Sequence, residues 1–92
     1  MAKPKTTFAP LVAADVTINA AEVTNATTLA VTATVKGLRV GYPVLVWGPS
    51  LEADLVITNA YASAKDELTF SLGNISAAPI NPASQVFKVV QF

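Results

Sequence analysis

The chain of 92 residues contains no cysteine and no histidine. Without cysteine no disulfide can staple a small fold, and the redox compartment leaves no trace in the composition. Without histidine, the commonest general base at neutral pH and the commonest neutral metal ligand are both missing. The serines at 50, 63, 71, 76 and 84 therefore have no imidazole to activate them, and no S-x-x-K spacing offers a lysine instead. Charge is scarce as well: 13% of residues are charged, against about 25% in ordinary soluble domains. Six basic side chains balance six acidic ones, so neither nucleic acid nor an anionic membrane is an expected partner. No run approaches the ~20 apolar residues of a membrane-spanning helix. The opening "MAKPKTTFAP" carries two lysines but no apolar block behind them, so a secretory signal is not expected.

What the chain does have is apolar surface, 52% of its residues. A domain this small buries somewhat over ~60% of its unfolded surface. A weakly charged chain with such an apolar excess is expected to hide part of its exterior in an assembly.

The apolar residues recur with a period of two. In "TLAVTATVK", Leu29, Val31, Ala33 and Val35 fall on one face and Ala30, Thr32, Thr34 and Lys36 on the other. "GLRVG" follows, where Gly37 and Gly41 allow φ > 0 and a chain reversal. Pro43 opens Val44-Leu45-Val46-Trp47, a run apolar on both faces, and Gly48-Pro49-Ser50 closes it. "DLVITNAYAS" reads as a further strand and "AKDE" as a polar connection. "LTFSL" sets Leu68, Phe70 and Leu72 on one face, with Gly73-Asn74 as a break. "APINP" is a rigid crossing before "QVFKVVQF", in which Phe87/Val89 and Val86/Val90 compete for the inward face. "DVTIN" near Asp15 is a short strand with Val16 and Ile18 together. No long segment holds apolar residues at helical spacing. Six short strands with such turns predict an all-β fold, a small antiparallel β-sandwich or β-barrel over residues 16–92. Residues 1–15, with Pro4 and Pro10 and no alternation, are expected to form an extended N-terminal arm.

Few residues carry chemistry. Glu52 and Asp54 sit two apart beside a turn, and Asp66 and Glu67 are adjacent in a polar connection. Neither pair has calcium-loop spacing or other acids beside it, so all four are expected to be solvated loop charges that alanine could replace. "GLRVG" lacks the third glycine and the lysine-threonine of a phosphate loop. Asn25 and Asn74 begin Asn-x-Ser/Thr triplets, which matter only in a eukaryotic secretory route. Trp47 and Tyr42 are expected at the core, an interface or a turn rather than as a stacking platform. No catalytic residue, metal ligand or cofactor site is assigned.

"KGLRVGYPVLVWGPSLEADLVITNAYASAKDELTFSLGNISAAPINPASQVFKVVQF" resembles a pattern of tailed-bacteriophage virion proteins, the small head decoration or cement proteins. Residues Thr28 to Phe92 carry the likeness: Gly-φ-x-φ-Gly, a Pro-led Val-x-Val strand, then the Asn-Ala-x-x-Ser-Ala and Ile-Asn-Pro-Ala-Ser segments. The resemblance implies a β-sandwich or barrel, commonly trimeric and without catalysis, made in the host bacterial cytoplasm and bound to the capsid surface. Its partners would be the major capsid protein and sister copies in a homotrimer. The expected contact residues are Lys3, Lys5, Phe8, Leu11 and Val12 in the arm, together with Trp47. A tail or head-fibre component, or a small carbohydrate-binding module using Trp47, Tyr42 and Tyr61, are the alternative readings.

Overall fold

The computed structural model describes residues 10–92. Six strands follow one another without a helix among these residues: β1 (Val12–Ile18), β2 (Thr28–Thr34), β3 (Val44–Trp47), β4 (Leu55–Ala64), β5 (Glu67–Asn74) and β6 (Gln85–Gln91). They form two three-stranded antiparallel sheets, ordered β1-β6-β3 and β2-β5-β4, stacked as a sandwich. Each sheet has its most buried strand in the middle. Leu68, Phe70 and Leu72 of β5 are buried, and so are Phe87 and Val89 of β6. Phe70 and Phe87 meet across the gap with ring centroids 5.3 Å apart and a 47° tilt, an arrangement aromatic pairs favour.

The strand that tempted two registers is settled by its partners. Gln85, Phe87, Val89 and Gln91 face the core, while Val86 and Lys88 face out. A one-residue slip would exchange the two sets and expose the phenyl ring. The alternation in β2 is as expected, with Leu29, Val31 and Ala33 turned inward.

Two boundaries differ from the sequence reading. Residues 12–15 belong to β1 and not to an arm: Val12 pairs with Gln91, and the Leu11 N–H donates to the Gln91 carbonyl at 2.7 Å. Val12, Ala14, Val16 and Ile18 point inward, but small Ala13 and Ala14 flatten the hydrophobic contrast that would reveal the period. Gly73-Asn74 does not break β5 either. Gly73 pairs with Thr28 and Val56, and Asn74 ends the strand in the interior. Lys3, Lys5 and Phe8 lie outside the described residues.

Turn chemistry fixes the connections. Gly37, at φ +97°, holds a conformation that a side chain resists, and its N–H donates to Asp66 Oδ1 at 2.8 Å. Asp66 itself is left-handed at φ 62° and closes the β4–β5 hairpin, a conformation Asp tolerates better than most residues. Gly48 answers a different need. A Cβ there would stand 2.9 Å from the Phe87 ring, so the chain can cross the core edge only with glycine.

Candidate functional site

A strand pair exposes alternate residues, and the outward set of β1-β6-β3 can be read row by row. Ala13, Val90 and Leu45 lie side by side across the sheet, and Asp15, Lys88 and Trp47 form the next row. Thr17 and Val86 form a third. Leu11 and Phe92 continue β1 and β6 at one end. Leu45 is 62% exposed, Trp47 61%, Leu11 50%, Phe92 42% and Val86 41%. These five are half of the ten large apolar residues exposed among the described residues. Contiguous patches of this kind mark interaction sites, whereas single exposed apolar residues need no explanation.

The face is also electrically closed. Its two charges, Lys88 and Asp15, bond each other at 3.1 Å. In water that pair contributes little to stability. Its consequence is that the surface carries no net charge, although both half-exposed ions lose hydration when it is covered.

The outer face of β2-β5-β4 is built from different residues. Thr28, Ala30, Thr32 and Thr34 of β2 lie against Gly73, Ser71, Thr69 and Glu67 of β5. Thr69 Oγ1 donates to Ser63 Oγ, which donates to Glu67 Oε1, both at 2.7 Å. A hydroxyl-lined face with its own hydrogen bonds is comfortable in water. One side of the sandwich therefore carries half of the exposed large apolar residues, while the other is mainly hydroxyl-lined, with Val56 and Tyr61 of β4 its apolar exceptions.

The sequence-predicted residues fall into place unevenly. Trp47 lies outward on the apolar face, away from the core. Leu11 stands at its corner, while Val12 is half-buried on the opposite side of β1. Tyr61 belongs to β4 in the other sheet and Tyr42 to the turn before β3, so the three aromatics do not share one surface. Leu45, Val86 and Val90 were missed as site residues. Their signal was present, since both β3 and β6 are apolar on two faces although only one face meets the core.

Glu52 and Asp66 are not idle loop charges. Asp66 joins the hairpin to Gly37, as described above. Glu52 Oε2 accepts from the Ala83 N–H at 2.8 Å, and Oε1 accepts from Gln85 Nε2 at 2.9 Å. Together they tie the β3–β4 connection to the start of β6. The Ala83 N–H, then the Gln85 amide, hold the Glu52 carboxyl below its ordinary value of 4.5, with partial desolvation opposing them. A depressed carboxyl contributes stability that is present above its unfolded value and lost as pH falls through the folded one. Glu52→Gln is therefore expected to lower the melting temperature by about 3 °C at pH 7, discounted for solvent screening. The gap should close below pH 4.5. Thermal melts across this range check it, and a gap that stays constant would show that the charge is not what holds the connection.

Of the two Asn-x-Ser/Thr triplets, Asn25 is exposed in a turn and Asn74 is buried with its amide fully engaged. Asn74 thus belongs to the fold. The chain matches no family model, and no significant similarity joins it to curated proteins or to solved structures.

Proposed function

We propose that the protein is a structural virion component that binds the outer surface of a bacteriophage capsid as a homo-oligomer, a trimer by resemblance, and stabilises the shell. The observation that carries this reading is the neutral apolar face of β1-β6-β3. It is a surface made to be covered, on a chain with neither histidine nor cysteine. The mechanism is linkage. A subunit that binds assembled shell better than loose or expanded shell shifts the equilibrium toward the bound state by mass action. Oligomerisation multiplies weak contacts, because effective concentration replaces free diffusion once one copy is attached.

Within this reading the residues before β1 reach the shell. Lys3 and Lys5 supply local positive charge, Phe8 an apolar anchor, and Pro4 and Pro10 two positions without an N–H to donate to a sheet. Removal of residues 1–9 is expected to leave the melting temperature of the sandwich nearly unchanged, because β1 begins later, at Val12. Co-sedimentation with bare capsids should weaken by at least about tenfold, or ~1.4 kcal/mol. Replacing only Lys3 and Lys5 should weaken it less and flatten its salt dependence. Undiminished co-sedimentation by the shortened chain would place the contact on the sandwich instead. Labelling of intact virions tests the location itself: signal over the shell is expected, and signal confined to the tail would overturn the reading.

A further inference from the structure

We propose that the outer face of the β1-β6-β3 sheet is the surface through which copies of this chain bind one another. The assignment rests on the self-association in the reading above but does not require a capsid.

The first argument is charge. A partner of different sequence is usually selected by complementary charge and by repulsion of wrong partners. This face offers no net charge, because Lys88 and Asp15 are paired. Contact between identical copies needs no such code. A chain with zero formal net charge also meets no long-range repulsion from its own kind.

The second argument is shape. The outward residues of β3 are large, Leu45 and Trp47, and those of β1 are small, Ala13, Asp15 and Thr17. The face therefore has a ridge along one edge and a shelf along the other, with β6 between them. Two strand spacings separate ridge and shelf, roughly 10 Å. The ridge of one copy fits the shelf of the next. There the indole of Trp47, a residue 61% exposed, meets the Asp15 carboxylate, an acceptor suited to an N–H donor that seeks a partner when covered. Lys88 bonds Asp15 in the neighbouring strand, so its ammonium group also lies over the shelf, where it can meet the face of the incoming indole ring.

The third argument is area. Two strands of seven residues and one of four make a sheet face of at most roughly 14 by 24 Å, under ~340 Å² before side-chain relief. Even doubled, this falls short of the ~800 Å² per partner in stable interfaces. A contact through this face is therefore reversible, and the assembly dissociates on dilution.

Mass measurement over a dilution series tests the proposal, with the emission of the single tryptophan as a second readout. The wild-type chain should pass from a multiple of 9.5 kDa at ~200 µM to the monomer mass near ~1 µM. Trp47 emission should shift to the red along the same curve. Leu45→Lys should stay monomeric throughout and match the wild-type melting temperature near ~1 µM, where both are monomers, while Tyr61→Lys, on the other sheet's outer face, should assemble like wild type. A cross-link adds an independent arm. Ala13→Cys with Leu45→Cys puts thiols on opposite sides of Val90, beyond the ~7 Å that one disulfide spans, so any disulfide in this otherwise cysteine-free chain joins two copies. Covalent oligomers are expected on oxidation. A wild-type monomer at ~200 µM would overturn the proposal. So would an assembly that survives Leu45→Lys, or one lost in Tyr61→Lys. If the chain is monomeric and Leu45→Lys instead abolishes capsid co-sedimentation, the face belongs to the shell: self-association fails and decoration stands. If assembly follows the expected pattern while no variant or wild type binds capsids, decoration fails and this interface stands.

Discussion

Phe87→Ala is expected to cost about 3–5 kcal/mol and to leave much of the chain unfolded at 37 °C. A domain of this length has only about 5–14 kcal/mol to lose. Phe87 lies in the central strand of one sheet and touches Phe70 in the central strand of the other, so its ring joins the two layers at their middle. The backbone at Gly48 rests on the same ring, with room for no side chain between them. Removing the ring leaves a cavity that two hydrogen-bonded sheets are poorly able to collapse into. Urea unfolding should show the midpoint falling steeply at unchanged slope, and Phe87→Leu should recover more than half of the loss. A cost under about 1.5 kcal/mol for alanine would mean that the two sheets are held by something other than this contact.

The identity of that ring as core was only half visible beforehand. "QVFKVVQF" offers two inward sets, and period alone does not choose between them. The choice is made by Ile18, Val16 and Ala14 of β1 and by Val44 and Val46 of β3, which pair with β6 from both sides. β2 and β5 were legible because threonine and serine alternate with leucine, valine and phenylalanine, giving full contrast at each step. β1 was legible only from Asp15 onward, since Ala13 and Ala14 differ in direction but not in hydrophobicity. The apolar outer face was legible as an anomaly: Val44-Leu45-Val46-Trp47 has more apolar residues than one core can take. Which of them faced out needed the partner strand. The roles of Glu52 and Asp66, and the bond from Asn74 to Val23, could not be read locally. Their partners Ala83, Gly37 and Val23 lie 31, 29 and 51 residues away. A polar side chain reveals such a job only when the fold brings the far backbone to it.

Asn74 gives the second large effect, and the carboxyl that Asn74→Asp introduces is shifted in the opposite direction to that of Glu52. The residue is 2% exposed. Nδ2 donates to the carbonyls of Val23 and Ala78 at 3.0 and 2.9 Å, and Oδ1 accepts from the Ser76 N–H and hydroxyl at 2.8 and 2.7 Å. One amide thereby ties the end of β5 to the β1–β2 connection and to the β5–β6 connection. The nearby Val23–Ile80 bridge joins the same two segments. Asn74→Ala should cost about 2–3 kcal/mol, from lost bonds and from the Ser76 groups left without their buried acceptor. Asn74→Asp has the same shape and should be worse at pH 7. The carboxylate keeps the acceptors for Ser76 but places negative charge against two carbonyl oxygens, costing about 3–5 kcal/mol. Burial and the facing carbonyls both disfavour the charged form, so the folded-state value of the new carboxyl is raised above its unfolded one. The protonated form can still donate to one carbonyl. The deficit should therefore be smallest below about pH 4 and should grow as pH rises above it. Urea unfolding of both variants at pH 4 and pH 7 decides the matter. If Asn74→Asp equals wild type at pH 7, the two donated bonds contribute nothing and the connections are held by the backbone bridge alone. If it is equally damaged at both values, the loss is one of packing and not of charge.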